Sequence, residues 1–192
     1  MAETIPDLMR STTAAAVPVV RGITDDQLDN PTPCAEYDIR ALLNHLFDGV
    51  VTFQARARKE STEMSPTKDY LTGDWRTAFE AEVGTLVKEW SQPGALEGTS
   101  GPMNMPQQVL AQMAIGDLAV HGWDLARATG QQHEVESATA ETLLAGLMEM
   151  APMAREAGAF GEAVEVPEDA PVFTRLLGVT GRDPSWTPDH TP

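Results

Sequence analysis

The chain has one cysteine, Cys34, among 192 residues. No internal disulfide can therefore form, and a zinc site built on two thiolates is excluded. Basic residues are also scarce: 13 Lys and Arg face 29 Asp and Glu, a formal charge of −16. That sign repels a phosphate backbone and an anionic bilayer, which argues against nucleic-acid and membrane partners. No apolar run approaches the ~18 residues needed to cross a bilayer. The first residues, MAETIPDLMRSTT, lack the basic-then-apolar order of a signal peptide, so a cytoplasmic protein is expected. Glycine-rich phosphate loops, G-x-S-x-G elbows and C-x-x-C pairs are missing as well. What is present is apolar material for a core, 42 % of the residues, in a length that suits a single domain over 1–192.

Helical periodicity recurs in five segments separated by Pro, Gly and Ser clusters. The first runs from about Ile5 to Arg21. The second opens at Asp38, a carboxylate N-cap behind the turn Asn30-Pro-Thr-Pro33, and is expected to reach about Lys59. A loop containing Ser65-Pro66 and Thr72-Gly73 leads to a third, Trp75 to Trp90, which Pro93-Gly94 stops. Leu96 to Met105 reads as a loop or short extended excursion. Pro106 then suits the first turn of a fourth helix and Gly130 its C-terminal cap. Apolar groups occur on most azimuths of that helix, so burial is expected. A fifth runs from about Ser137 to Met153, followed by a short Phe173 to Leu177 stretch, with residues 183–192 reading as a tail. The fold class is all-α: a four-helix bundle with an extra C-terminal helical segment and a tail.

Four histidines remain as carriers of chemistry. His133, just past a helix end, and His190, in the tail, read as solvated polar residues. His121 differs, because Asp117 lies four residues before it on one face, inside a stripe made by Leu110, Met113, Ala114 and Ala128. An acid and an imidazole in an apolar stripe need partners. A divalent metal satisfies both at once, and so would a hydrogen bond between them or to a neighbouring helix. His45 is a candidate third ligand. Its azimuth lies ~110° from the apolar stripe of the second helix, at the flank of the core rather than on the solvent side assigned to Asn44 and Asp48. Periodicity leaves open whether the two helices face each other. Trp75, Trp90, Trp123 and the methionines Met103, Met105 and Met113 read as packing residues, and Cys34 has no nearby cation in sequence except Arg40.

Two strings carry a family resemblance, TPCAEYDIRALLNHL (Thr32 to Leu46) and AIGDLAVHGWDLARATGQ (Ala114 to Gln131). They resemble the signature blocks of the actinobacterial metal-binding proteins related to the N-terminal domain of mycothiol-dependent maleylpyruvate isomerase, within the DinB-like four-helix-bundle superfamily. Segments from Gly158-Ala-Phe-Gly161 through Val166-Pro167 and Leu176-Leu-Gly178 to Gly181-Arg-Asp-Pro184 are similar to the end of the same group. The resemblance implies a divalent-metal site with three protein ligands, His45, Asp117 and His121, zinc first, with nickel or iron also suited. Asp117 stands where the isomerase has Glu. Trp123 and Asp124 would then support the ligands or pack around them. The implied activity is mycothiol-dependent thiol transfer or isomerisation of a small electrophile, with mycothiol as cosubstrate and the metal activating the thiol. The isomerase carries a further C-terminal domain similar to sterol-carrier folds, which this chain is expected to lack, so the implied chemistry is not maleylpyruvate isomerisation itself. The rival expectations are a non-enzymatic metal- or ligand-binding bundle serving as a sensor or stress accessory, and a metal-free bundle with a buried polar network. The partners implied are a small-molecule thiol and an electrophile, with the chain a monomer or homodimer.

Overall fold

The computed structural model describes residues 3–62 and 68–188. Among the described residues six α-helices follow in order: α1 (Ile5–Gly22), α2 (Ile39–Ala57), α3 (Trp75–Trp90), α4 (Gln107–Thr129), α5 (Ser137–Glu156) and α6 (Val172–Val179). Helix α1 packs against α3 and α4, and α2 packs against the same two, which closes a four-helix bundle. Helices α5 and α6 pack on each other, and α5 leans on α4. Two-residue strands, Thr99–Ser100 and Met105–Pro106, pair as an antiparallel ribbon at the entry to α4. The all-α reading therefore holds.

The helix limits follow local signals. Thr4 and Asp7 form a capping box at the start of α1. The Asp38 carboxylate accepts the Ala41 N–H at 2.7 Å and starts α2. Helix α2 stops at Ala57, short of the expected Lys59, because Lys59 adopts a φ of 59°. Gly130, at φ 69°, caps α4 in the left-handed conformation. Most residues of α4 are buried, as its apolar azimuths imply, among them Ile115, Leu118, Ala119 and Leu125. Among the described residues no helix is long and apolar enough to cross a membrane.

Three expectations need correction. Asp48 does not face solvent: it is 4 % exposed, and the Tyr70 hydroxyl donates to it at 2.7 Å. Met103 does not pack, since it is 70 % exposed. His133 is not a solvated loop residue. It folds back onto α4, where its Nε2 donates to the Ala119 carbonyl at 3.0 Å, and Gly122 leaves the space, since a Cβ there would come within 2.8 Å of the ring. His190 and the Ser65-Pro66 turn lie outside the described residues. Residues 183–188, read as tail, are tied down by Arg127, whose guanidinium donates to the Trp186 carbonyl at 2.7 Å.

The position of His133 has a measurable consequence. Burial pushes its imidazole below the ordinary 6.5, with the backbones of Ala119 and Ala15 and the charge of Asp124 acting in the other direction. Its buried Nδ1 makes no hydrogen bond among the described residues, and a second ring proton there would be a buried charge. The unfolded chain takes up that proton near pH 6.5 while the folded chain refuses it, so stability falls as pH drops below that value. The urea midpoint of the wild type is expected to fall more steeply from pH 6.5 to about pH 5 than that of His133→Gln, which keeps an N–H for Ala119. Parallel slopes would remove His133 from the account.

Candidate metal centre

The loop before α2 is built to overhang the bundle. Buried Thr32 donates to the Tyr37 carbonyl at 2.7 Å and accepts the Cys34 N–H at 3.1 Å. At the loop base, Ile39 N–H donates to Asn30 O and Arg40 N–H to Leu28 O. These bonds hold Cys34, Glu36 and Tyr37 above the seam between α2 and α4, where all three line a cavity of about 330 Å³.

His45, Asp117 and His121 line the same cavity, and one donor atom from each lies within 4.8 Å of the other two. The α2 to α4 packing that periodicity left open is thus present. The His45 and His121 rings meet edge to face with centroids 5.1 Å apart, and Tyr37 stacks on the His45 imidazole at 5.3 Å. Gly49, one turn beyond His45, faces the acid: a Cβ there would sit in ordinary contact, 3.5 Å from the Asp117 carboxylate. Burial pushes the His45 imidazole below its usual range, with Asp117 opposing and His121 adding to the fall. A neutral imidazole keeps the lone pair that a metal requires.

Behind His121 lies a charged layer. Asp124, fully buried, sits 3.0 Å from His121 Nδ1 and 3.1 Å from Arg182 Nη2. A carboxylate accepts only, so His121 carries its proton on Nδ1 and donates it to Asp124, leaving Nε2 as the lone-pair nitrogen. Arg182 completes its bonding with Nη1 to the Thr180 carbonyl at 2.9 Å. Its Nη2 also approaches His121 Nδ1 at 3.5 Å, which is no competitor to the shorter carboxylate contact. Asp124 therefore stands where a supporting acceptor was expected, whereas Trp123 is a core residue.

Cys34 forms a second trio with His121 and Asp124 within the same 4.8 Å limit. The Arg182 guanidinium already occupies that carboxylate, so a cation there would meet like charge. Burial pushes the Cys34 thiol up; Arg182 opposes the rise and Asp124 adds to it. Sequence reasoning missed both Arg182 and the placement of Cys34 and Tyr37. Arg182 comes from 61 residues beyond His121, and its one local sign was the G-R-D-P segment shared with the resembled group.

The profile of the mycothiol maleylpyruvate isomerase N-terminal domain matches residues 9–126, a span that includes His45, Asp117, His121 and Asp124 but not Arg182. Two uncharacterized proteins, from two strains of Mycobacterium tuberculosis, are each 28 % identical over 169 residues, covering 85 % of this chain and 90 % of the relative. No solved structure matches significantly. With the profile spanning well over half of its length, the chain belongs to the mycothiol maleylpyruvate isomerase N-terminal domain family.

Proposed function

We propose that His45, Asp117 and His121 hold one divalent metal, zinc first, and that the protein uses it to activate a small thiol, mycothiol, for transfer to or isomerisation of a small electrophile. The convergence of these three donors within 4.8 Å in a cavity is the observation that carries this reading. Two imidazoles and a carboxylate suit zinc, nickel or iron. Three protein ligands leave a position open for an exogenous ligand. A divalent cation bound here supplies Lewis acidity, lowering the pKa of a thiol beside it.

The chain's own groups do the rest. Asp124 holds the His121 proton on Nδ1, and Arg182 fixes Asp124 in turn. Tyr37 keeps the His45 ring in place by stacking. In transfer, the thiol proton leaves to solvent, the sulfur bonds to the electrophilic carbon, and the leaving group departs with its electron pair. In isomerisation, the sulfur adds to a conjugated double bond, rotation follows, and the same C–S bond breaks.

Metal content tests the assignment. Protein purified without chelators or a histidine tag is expected to carry about one equivalent of metal per chain. His45→Ala and His121→Ala are expected to carry almost none while retaining helical circular dichroism. Full occupancy in either variant would sink the ligand assignment. Holoprotein that turns over no thiol and electrophile pair would instead favour a non-enzymatic metal-binding role.

A further inference from the structure

The cavity has two unlike faces. One is the polar face of His45, Asp117, His121 and the loop before α2. The other is apolar, made by Phe53 of α2, Met113 and Val120 of α4, Leu147 and Met150 of α5, and Phe160 beyond it. Arg182 is the one cation lining the cavity among the described residues. Each of its guanidinium nitrogens already has a partner: Nε and Nη2 on Asp124 at 3.4 and 3.1 Å, and Nη1 on Thr180 O at 2.9 Å.

Charge closes the case against an anionic ligand body. Glu36 and Asp117 on the lining and Asp124 behind it carry three negative charges. Arg182 and a divalent ion carry three positive ones. With the ion in place and the thiol on its open position the site has no spare positive charge, so a ligand carboxylate would enter a half-apolar cavity without a free cation to meet it. The volume, about 330 Å³, lies at the small end of the ~300–1,000 Å³ common for ligand pockets, room for a ring and a short arm.

We infer that the electrophile taken by this site is uncharged, with an apolar body seated on Phe53, Met113, Leu147, Met150 and Phe160, and that carboxylated electrophiles are rejected. This rests on the proposed metal and thiol reading for which end of the ligand is transformed; the choice of ligand body rests on the cavity wall.

Two unreactive probes of similar shape separate the cases: 4-isopropylbenzyl alcohol and 4-(hydroxymethyl)benzoate. Their affinities for metal-loaded protein, with 2-mercaptoethanol supplied to occupy the open metal position, are measured by ligand-observed NMR, with metal content determined on the same sample. The isopropyl probe is expected to bind at least about tenfold more tightly. Met150→Lys, which places a cation on the apolar wall, is expected to shift the ratio toward the carboxylate by a similar factor. Equal or tighter carboxylate binding to the wild type overturns the inference, as does a ratio that Met150→Lys leaves unmoved. A protein that takes up no metal on reconstitution yet prefers the isopropyl probe supports the apolar cavity while defeating the metal reading. A loaded sample that prefers the carboxylate does the reverse.

Discussion

Replacing Arg182 with methionine is expected to destabilise the fold by about 3–5 kcal/mol, because it strands a buried charge. Asp124 is 0 % exposed and is held from two sides, by His121 and by Arg182, itself 6 % exposed. Methionine fills much of the same volume but offers no positive charge, so the carboxylate would be left with one imidazole N–H. In a chain of this length the melting temperature should drop by roughly 6–20 °C. The site should suffer too, since losing the group that steadies a ligand's hydrogen-bond partner typically costs ~10–100-fold in metal affinity. Arg182→Met combined with Asp124→Asn removes both charges, and the pair should be less damaging than the single change. A single variant within about 1 kcal/mol of wild type in urea denaturation would mean that water reaches Asp124.

Gly181→Ala should be the other severe change, for a steric reason. Gly181 has φ 84°, and a Cβ there would lie 2.7 Å from the Gly161 Cα and 2.8 Å from its carbonyl carbon. The neighbour is backbone, and it cannot retreat easily. Arg155 clamps both segments, with Nε on Gly161 O at 3.2 Å and Nη2 on Val179 O at 2.6 Å. The left-handed conformation costs an alanine about 1–3 kcal/mol and overpacking a further ~1–3 kcal/mol. Gly158→Ala is the matched control, because φ is 75° there and nothing lies within 4 Å of a new Cβ. The difference between the two urea midpoints isolates the contact. A Gly181→Ala protein no less stable than Gly158→Ala would show that the Gly161 segment is free to move.

Much of the helical frame was legible because its determinants are local. Asp38, Gly130 and the Pro93-Gly94 pair act over a turn or less, and α2, α4 and α3 begin or end close to where those signals put them. The Asp117 and His121 pairing on one face of α4 was equally readable from a spacing of four. The approach of His45 depends on how α2 docks on α4, which no single-helix periodicity contains, and the family resemblance supplied that link. Arg182 was illegible for a related reason: its contact with Asp124 spans 58 residues, and an arginine in a Gly-Arg-Asp-Pro run looks like solvated chain. The misplacements of His133 and Asp48 share one cause. Each polar residue is covered by a neighbouring element rather than by its own, His133 by α4 in the hollow at Gly122 and Asp48 by Tyr70. Hydrophobic pattern reports which face wants burial, but not which polar residue another segment will cover.

The 61 residues between His121 and Arg182 also set a clock. On the ribosome the histidines and acids of the seam emerge first, and at ~5–20 residues per second the guanidinium follows about 3–12 s later. Throughout that interval Asp124 has no cation in the nascent chain's interior, so α4 cannot settle with that face sealed. The finished molecule waits for the turn after α6, and the strands of sequence that resemble the family most closely are not the ones that complete its assembly.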